Sequence, residues 1–442
     1  MREKIIITLL AVALFFIDIN LIGFIYLAFG FGYFVYAIQK KWYNELALAF
    51  PLFGYSFFLF VNKLTGLPNL AMLLGVVIAF LAFRVVTEFN SFTKLNTKKI
   101  TIIVLYAVFF LLILGSIFAT YDATYQNFKI QLFFLWTGVL FFSINTFDNR
   151  INDFNFEEFL KIAFILFVPH FSNAMSEEQT LSPFRTWEVF SVLDDGIRGH
   201  NFDIITATRI AGVGILAYFI FLLDFSKQKL YLVGLLVFFG IMVIICQTRQ
   251  SIVALMLPMF LYVVYSVMKN RKNYSGIFIG LIFLVYGFYN YLSYLDSNGV
   301  ESRIVSTVDG TSTEGSGREK IWGKAFEYIS LDKPSTGFGN FKIFTRAHDY
   351  AHNIFIEVYV EAGIFAFFVL CIIIYYMFYE LFKVFFVYKE NSRLEIFLIL
   401  ATFYYLGLAQ FSVDLSRNLL FFFTFALFIF VKKNNLNLKL NE

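Results

Sequence analysis

Long apolar runs separated by short polar segments dominate this chain of 442 residues. A helix needs about 20 apolar residues to cross the hydrocarbon core of a bilayer. The pattern therefore predicts an all-α polytopic membrane protein with about 14 transmembrane helices, in a range of about 12 to 14. The runs are continuous rather than alternating, which excludes strands as the main architecture. The predicted spans are 5–19, 21–38, 45–61, 69–88, 100–120, 128–145, 158–174, 204–223, 230–246, 251–268, 274–293, 364–387, 395–411 and 418–431.

The composition agrees with a membrane protein. Hydrophobic residues make up 59% of the chain and charged residues only 15%, whereas soluble domains carry about 25% charged residues. The net charge of +4 is modest and argues against a nucleic-acid partner. Cys246 and Cys371 lie in or beside separate apolar segments and indicate neither a disulfide framework nor a metal site. The first apolar run has no small-residue cleavage site, so we expect an uncleaved membrane anchor.

The distribution of basic residues predicts the orientation. With both termini in the cytoplasm, the pairs Lys40-Lys41, Lys98-Lys99 and Lys432-Lys433 fall on the inner side, as the positive-inside rule requires. Two long segments, 175–203 and 295–351, then lie on the outer side. We divide the chain accordingly into N-terminal helices with the first outer loop (1–203), core helices (204–294), the long outer loop with the helix that follows it (295–363), and C-terminal helices (364–442).

The outer loop 295–351 is the expected location of function, because a mostly apolar chain keeps little other polar sequence. Its seven basic and eight acidic residues nearly cancel, so it is no polybasic lipid-binding patch. Residues 319–330 predict a short amphipathic helix with Trp322, Phe326 and Ile329 on one face. The segment 334–339, Pro-Ser-Thr-Gly-Phe-Gly, then interrupts regular structure.

Two arginines lie at the outer ends of predicted spans. Arg209 is near the start of the span 204–223, where an arginine is costly unless it is paired, faces water or snorkels to the headgroups. Arg249 lies in a tight turn on the same side. Guanidinium groups match phosphate oxygens in charge and geometry, so the pair indicates an anion site. Arg318 and Arg303 in the long loop are candidates to complete it, although a loop arginine such as Arg303 is usually only solvated.

A histidine directly precedes the apolar helix that follows the loop. Behind His352, the residues Asn353, Glu357 and Glu361 recur every four positions and form a polar stripe. Carboxylates facing lipid are costly, so we expect the stripe to face a wet cavity, with an ion pair to Arg249 or Arg346 as the alternative. A histidine near a membrane surface is more often structural than catalytic, and this stripe is what favours a functional role. The chain has four histidines: His170, His200, His348 and His352.

Other chemistry has no sequence signature here. The chain lacks a Walker loop, a dinucleotide fingerprint, a His-Glu-x-x-His motif and a Gly-x-Ser-x-Gly elbow. It also lacks the Asp-x-Asp pair of many nucleotide-sugar transferases. We therefore predict neither a metal nor a cofactor.

The order of these features resembles the O-antigen polymerase and O-antigen ligase superfamily of bacterial membranes. The features are the two membrane-edge arginines, a loop reading Ser-Gly-Arg…Trp…Gly-Phe-Gly, and then His-Asn and Glu-Ala-Gly, over roughly 205–255 and 315–370. Two positions depart from the family pattern. Val213-Gly214 stands where Pro-Asn is common, and Thr248-Arg249-Gln250 replaces Ser-Arg-Gly or Ser-Arg-Ala.

The resemblance implies a metal-independent, inverting glycosyltransferase of the GT-C type in the bacterial inner membrane, with its active site facing the periplasm. Its donor would be a glycan on undecaprenyl pyrophosphate. It implies that Arg209, Arg249 and Arg318 bind the pyrophosphate and that His352 is the general base. Asn353, Glu357, Glu361 and Trp322 are the residues expected to bind or orient substrate.

Three functions remain open at this point. A polymerase would pass the growing chain to a new lipid-linked repeat unit, with membrane lipid and a chain-length regulator protein as further partners. A ligase would use lipid A-core as acceptor. The strong Phe, Tyr and Ile bias and the departures from the shared motif favour the polymerase. A flippase is less expected, because transporters place their ionisable residues near mid-membrane.

Overall fold

The computed structural model is helical, and the residues that it describes include no strand, which confirms the predicted all-α class. In chain order the helices are α1 (Asn20–Gln39), α2 (Tyr43–Thr65), α3 (Thr97–Phe118), α4 (Phe156–Ser176), α5 (Ile204–Leu222), α6 (Arg249–Met268), α7 (Arg318–Ser330), α8 (Ile354–Phe382), α9 (Arg393–Ala409) and α10 (Leu419–Val431). A π-helical turn, Lys383–Val387, extends α8. The described residues are 20–65, 97–118, 154–176, 204–222, 249–269, 286, 318–330, 351, 353–388, 391–410 and 419–432.

Every helix named above except α7 coincides with a predicted apolar run. Among the described residues, two helical segments, Thr97–Phe118 and Ile354–Val387, are long and apolar enough to cross a membrane, judged by length and composition. Shorter apolar helices occupy Gly23–Gln39, Arg209–Ile220, Val253–Met268 and Leu419–Val431. The total of about 14 spans and the four-part division of the chain stay predictions. The runs at 5–19, 69–88, 128–145, 230–246 and, apart from Tyr286, 274–293 lie outside the described residues.

The chain divides into two compact units. The first comprises Met1–Thr87, Asn145–Leu255 and Lys269–Ser312, and the second comprises Glu88–Ile144, Met256–Met268 and Thr313–Glu442. Residues of helices α1, α2, α4 and α5 thus belong to the first unit, and those of α3, α7, α8, α9 and α10 to the second.

Tyrosine hydroxyls link the helices of the first unit. Tyr26 in α1 donates to the carbonyl of Ile165 in α4 at 2.6 Å, and Tyr218 in α5 donates to the carbonyl of Leu160 at 3.0 Å. Tyr26 and Tyr218 are fully buried. A buried hydroxyl needs a hydrogen-bond partner, so these rings supply apolar packing while their polar ends connect neighbouring helices.

Aromatic packing and a threonine pair hold together the second unit. Phe109 of α3 stacks on Phe422 of α10, with ring centroids 5.1 Å apart, and Tyr106 donates to the carbonyl of Phe422 at 2.8 Å. Thr402 of α9 donates to Thr424 of α10 at 3.0 Å between fully buried side chains. Such contacts explain why the chain uses so many aromatic residues in its helices.

Helix α8 exposes a broad apolar face. Phe365 is 74% exposed and Tyr375 is 72% exposed, and further large apolar side chains continue the same surface. A contiguous apolar surface of this kind is unusual on a soluble monomer. It fits a helix that faces lipid.

Helix α8 is broken at Gly363. This residue has φ 84° and ψ 177°, a conformation that is essentially restricted to glycine. The predicted span 364–387 starts directly after this break and ends with the π-helical turn. Residues 354–362 therefore form a separate short helical segment before the span.

A buried carboxylate anchors the other end of α8. Glu380 is fully buried, and its Oε1 lies 3.4 Å from Nζ of both Lys98 and Lys383. Its Oε2 accepts a hydrogen bond from Tyr388 at 3.1 Å. The carboxylate thereby connects α3 to the end of α8.

We expect Glu380→Gln to destabilise the protein, because it removes the carboxylate that pairs with the ammonium groups of Lys98 and Lys383. The lysines are 25% and 18% exposed, so the expected cost is about 2 to 3 kcal/mol, below that of a fully buried pair. Thermal unfolding in detergent measures it. The control is Glu157→Gln, which removes an i,i+4 pair with Lys161 from a carboxylate that is 38% exposed and should cost less than about 0.5 kcal/mol. Equal shifts in the two variants would contradict the anchoring role.

Candidate functional site

Asn353 forms the N-cap of α8. Its Oδ1 accepts from the backbone N–H groups of Phe355 at 3.0 Å and Ile356 at 3.2 Å. These are donors that a helix start leaves without an intrahelical partner. Its Nδ2 donates to Oε1 of Gln410, the residue that ends α9, at 3.1 Å. One side chain therefore closes the helix start and connects it to a second helix.

Trp322 of α7 is hydrogen-bonded to Ala351, which lies two positions before Asn353. Its indole Nε1 donates to the carbonyl of Ala351 at 2.8 Å, and Ala351 is itself buried. The Trp322 ring is half-buried on α7. The loop helix and the start of α8 are thus joined by a hydrogen bond as well as by packing.

The contact between α7 and α8 is built around a small residue. Ala325 and Tyr328 are buried and pack with Val360 of α8, whereas Phe326 is 61% exposed. Of the predicted apolar face, Ile329 packs against this cluster, while Ala325 is too small to mark the contact in a hydropathy pattern. The predicted helix itself, 319–330, is confirmed as Arg318–Ser330.

Both carboxylates of the predicted polar stripe are buried. Glu357 is 2% exposed and Glu361 is 4% exposed. Glu361 lies two residues before the break at Gly363. Its backbone carbonyl accepts a hydrogen bond from the Ser116 hydroxyl of α3. The stripe is therefore turned away from the exposed face of α8. The wet cavity in front of it stays a prediction.

Arg209 lies in α5, in the first unit, and is 8% exposed. A guanidinium that snorkels to lipid headgroups would lie on the protein surface. Burial favours the alternative, in which the protein encloses the charge beside counter-charges, hydrogen-bond acceptors or an anionic ligand.

The remaining predicted site residues are placed less fully. Arg249 and Arg318 are the first residues of α6 and α7, and their side chains lie outside the described part of the structure. His352 falls outside the described residues as well, between the described Ala351 and Asn353. Arg303, Arg346 and His348 also lie outside them. In the described part of the chain, no group of three or more His, Cys, Asp or Glu residues could hold a metal ion.

Gln410 is the contact residue that the sequence did not single out. It lies near the end of the predicted span 395–411 and directly after the last residue of α9, where a polar residue is typical of an ordinary helix end. Its partner is 57 positions away in the chain, so no local pattern reveals the contact. Its Nε2 also donates back to the carbonyl of Leu406 at 3.3 Å, which holds the amide in place.

The comparisons with known proteins give one family. Residues 232–371 match the family described as O-antigen ligase. No curated protein and no solved structure matches the chain. The matched segment includes most of the predicted site residues, while Arg209 precedes it. Together with the apolar helices, the match indicates a membrane protein. Residues 232–371 are therefore similar to the O-antigen ligase family, which supports the resemblance to the O-antigen polymerase and O-antigen ligase superfamily.

Proposed function

We propose that this protein is a metal-independent, inverting glycosyltransferase that polymerises oligosaccharide repeat units linked to undecaprenyl pyrophosphate on the periplasmic face of the inner membrane. The observation that carries the proposal is the O-antigen ligase domain at residues 232–371, which contains His352 between two anchored neighbours. Enzymes of this superfamily join glycans, which supports a catalytic rather than a transport role.

The proposed reaction is a single displacement at the anomeric carbon of the donor glycan. A hydroxyl oxygen at the non-reducing end of the acceptor attacks this carbon, and the bond to the pyrophosphate oxygen breaks on the opposite face. His352 takes the hydroxyl proton as general base, because a sugar hydroxyl is a weak nucleophile. Undecaprenyl pyrophosphate leaves, and the anomeric configuration inverts.

The leaving pyrophosphate requires positive charge. We assign this role to Arg209, Arg249 and Arg318, where other transferases use a divalent cation. Arg209 is buried in a helix, so its guanidinium is a fixed charge in a low-dielectric setting. Arg249 and Arg318 each begin a helix, where free backbone N–H groups add to the attraction for an anion.

Asn353 and Glu357 have different proposed roles, because the side chain of Asn353 is already engaged in capping α8 and binding Gln410. The Asn353 oxygen caps α8 and its nitrogen binds Gln410, so we assign Asn353 to holding the helix start. Glu357 lies one turn further along, is buried, and is the carboxylate that we propose orients the imidazole of His352. Glu361 and Trp322 support the same segment from the neighbouring turn and from α7.

The second candidate is a ligase that transfers the glycan from the same donor to lipid A-core. The description of the matched family, O-antigen ligase, favours this alternative. Both reactions share the donor and the proposed base and differ in the acceptor. We prefer the polymerase because the 63 Phe and 26 Tyr residues and the departures beside Arg209 and Arg249 fit polymerases, which diverge with each repeat unit.

Purified protein incubated with one lipid-linked repeat unit and EDTA tests the proposal. We expect a ladder of lipid-linked multimers on a gel, since neither a metal nor a second acceptor is required. A product that forms only when lipid A-core is added would make the protein a ligase. If neither mixture gives a product with a substrate of the correct structure, the transferase assignment is wrong.

A further inference from the structure

We propose that Gln410 is a positioning residue for the transfer reaction and acts through Asn353 on the start of α8. The inference rests on the proposed function, because it concerns the segment next to the proposed base. Gln410 lies at the end of α9, 57 positions after Asn353 in the chain. Neither the family resemblance nor the sequence pattern assigns it a role.

Gln410 is itself held in place by two hydrogen bonds to α9. Its backbone N–H bonds to the carbonyl of Gly407 at 3.2 Å as part of the end of α9, and its Nε2 donates to the carbonyl of Leu406 at 3.3 Å. With the amide nitrogen held in this way, Oε1 is the atom that faces Asn353. The acceptor therefore has a defined position before Asn353 binds to it.

Asn353 transmits this fixed position to α8. Oδ1 of Asn353 bonds to two backbone N–H groups of the first turn of α8 while Nδ2 bonds to Gln410. Fixing Nδ2 fixes the plane of the amide and so the direction of Oδ1. The position of the first turn of α8 is therefore fixed relative to the end of α9.

A second anchor lies on the other side of position 352. The carbonyl of Ala351 accepts the indole N–H of Trp322 at 2.8 Å. The residues before and after position 352 are thus held by two different helices, α7 and α9. An error of about 1 Å in the position of a catalytic group can reduce turnover about a hundredfold. Hydrogen bonds that fix the residues on both sides of the proposed base therefore support turnover.

The test compares three substitutions in the full-length protein. Gln410→Met removes both polar atoms at similar length, while Gln410→Glu keeps an acceptor for Nδ2 of Asn353. Thr402→Val, in the same helix, removes the buried hydrogen bond to Thr424 and serves as the matched control. We expect Gln410→Met to lower kcat about tenfold with little change in KM, Gln410→Glu to recover most of the loss, and Thr402→Val to keep kcat per folded molecule.

Hydrogen–deuterium exchange provides a second measurement that needs no activity. In Gln410→Met, the backbone amides of Phe355 and Ile356 should exchange about three- to tenfold faster than in the wild type, because their acceptor is less firmly held. Thr402→Val should leave them unchanged.

Failure of the inference and failure of the proposed function give different results. If the wild type is active and Gln410→Met has the same kcat, the inference is overturned. It is also overturned if Thr402→Val loses as much kcat as Gln410→Met. Exchange at Phe355 and Ile356 that does not respond to Gln410→Met overturns it as well. A wild type that is inactive with both acceptors instead overturns the proposed function, whatever the exchange measurements show.

Discussion

Replacing His352 with alanine is expected to lower turnover by about a thousandfold while the protein still folds and binds the lipid-linked donor. The reason is that removing a general base costs about a hundred- to ten-thousandfold, whereas the donor is bound by other residues in the proposed mechanism. The anchors on both sides of position 352 use the carbonyl of Ala351 and the side chain of Asn353. Neither anchor involves the imidazole. Initial rates of multimer formation and the thermal unfolding midpoint together measure the effect.

His348→Ala is the matched control, because it removes a second histidine from the same loop four positions earlier. We expect it to retain most of the activity. If His348→Ala is inactive and His352→Ala is active, the base has been assigned to the wrong histidine. If both variants are active, neither His348 nor His352 is the base of the transfer reaction.

Replacing Arg209 with glutamine is expected to lower kcat about a hundred- to a thousandfold, the usual cost of losing one fixed group that stabilises developing negative charge. Arg209→Lys should recover only part of this loss, because lysine keeps the charge but not the two-pronged geometry of the guanidinium. Inorganic pyrophosphate should inhibit the wild type as a competitor for the donor site, and it should inhibit Arg209→Gln more weakly.

Lys161→Gln controls for the removal of a buried cation. Lys161 is also in the first unit, 5% exposed, and bonds to Glu158 at 2.7 Å. Its substitution should lower stability without changing either kcat or pyrophosphate inhibition of the folded fraction. Equal effects of the Arg209 and Lys161 variants on kcat would indicate that Arg209 has a structural role and does not contact the donor.

The positions of the helices could be read from the sequence because burial in lipid imposes a simple rule. Lipid cannot hydrogen-bond to a backbone, so each apolar run of sufficient length must be helical. Runs such as 21–38 and 395–411 were found close to the predicted bounds, as Asn20–Gln39 and Arg393–Ala409. Helical periodicity likewise predicted that Glu357 and Glu361 share one face of the helix, and both residues are buried.

The contacts that shape the candidate site could not be read from the sequence. Asn353 was assigned to the polar stripe of α8, yet it lies at the helix start and caps it, since helix bounds depend on which residue can adopt an extended conformation. Its bond to Gln410 joins two apolar segments that carry no complementary pattern. The contact of α7 with α8 has a similar cause, because tertiary packing places the small Ala325 at the interface while Phe326 is exposed.

The break at Gly363 has a mechanical consequence for an enzyme that works at the surface of a bilayer. Membrane spans change their tilt as the hydrocarbon thickness changes. If residues 354–362 continued the span as one rigid rod, they would form a lever about 13 Å long, and a tilt of about 10° would displace its tip by about 2 Å. A break in the helix interrupts this lever, and the bond from Ser116 ties its near end to α3. We therefore expect residues 354–362 to follow changes in membrane thickness less closely than a continuous helix would.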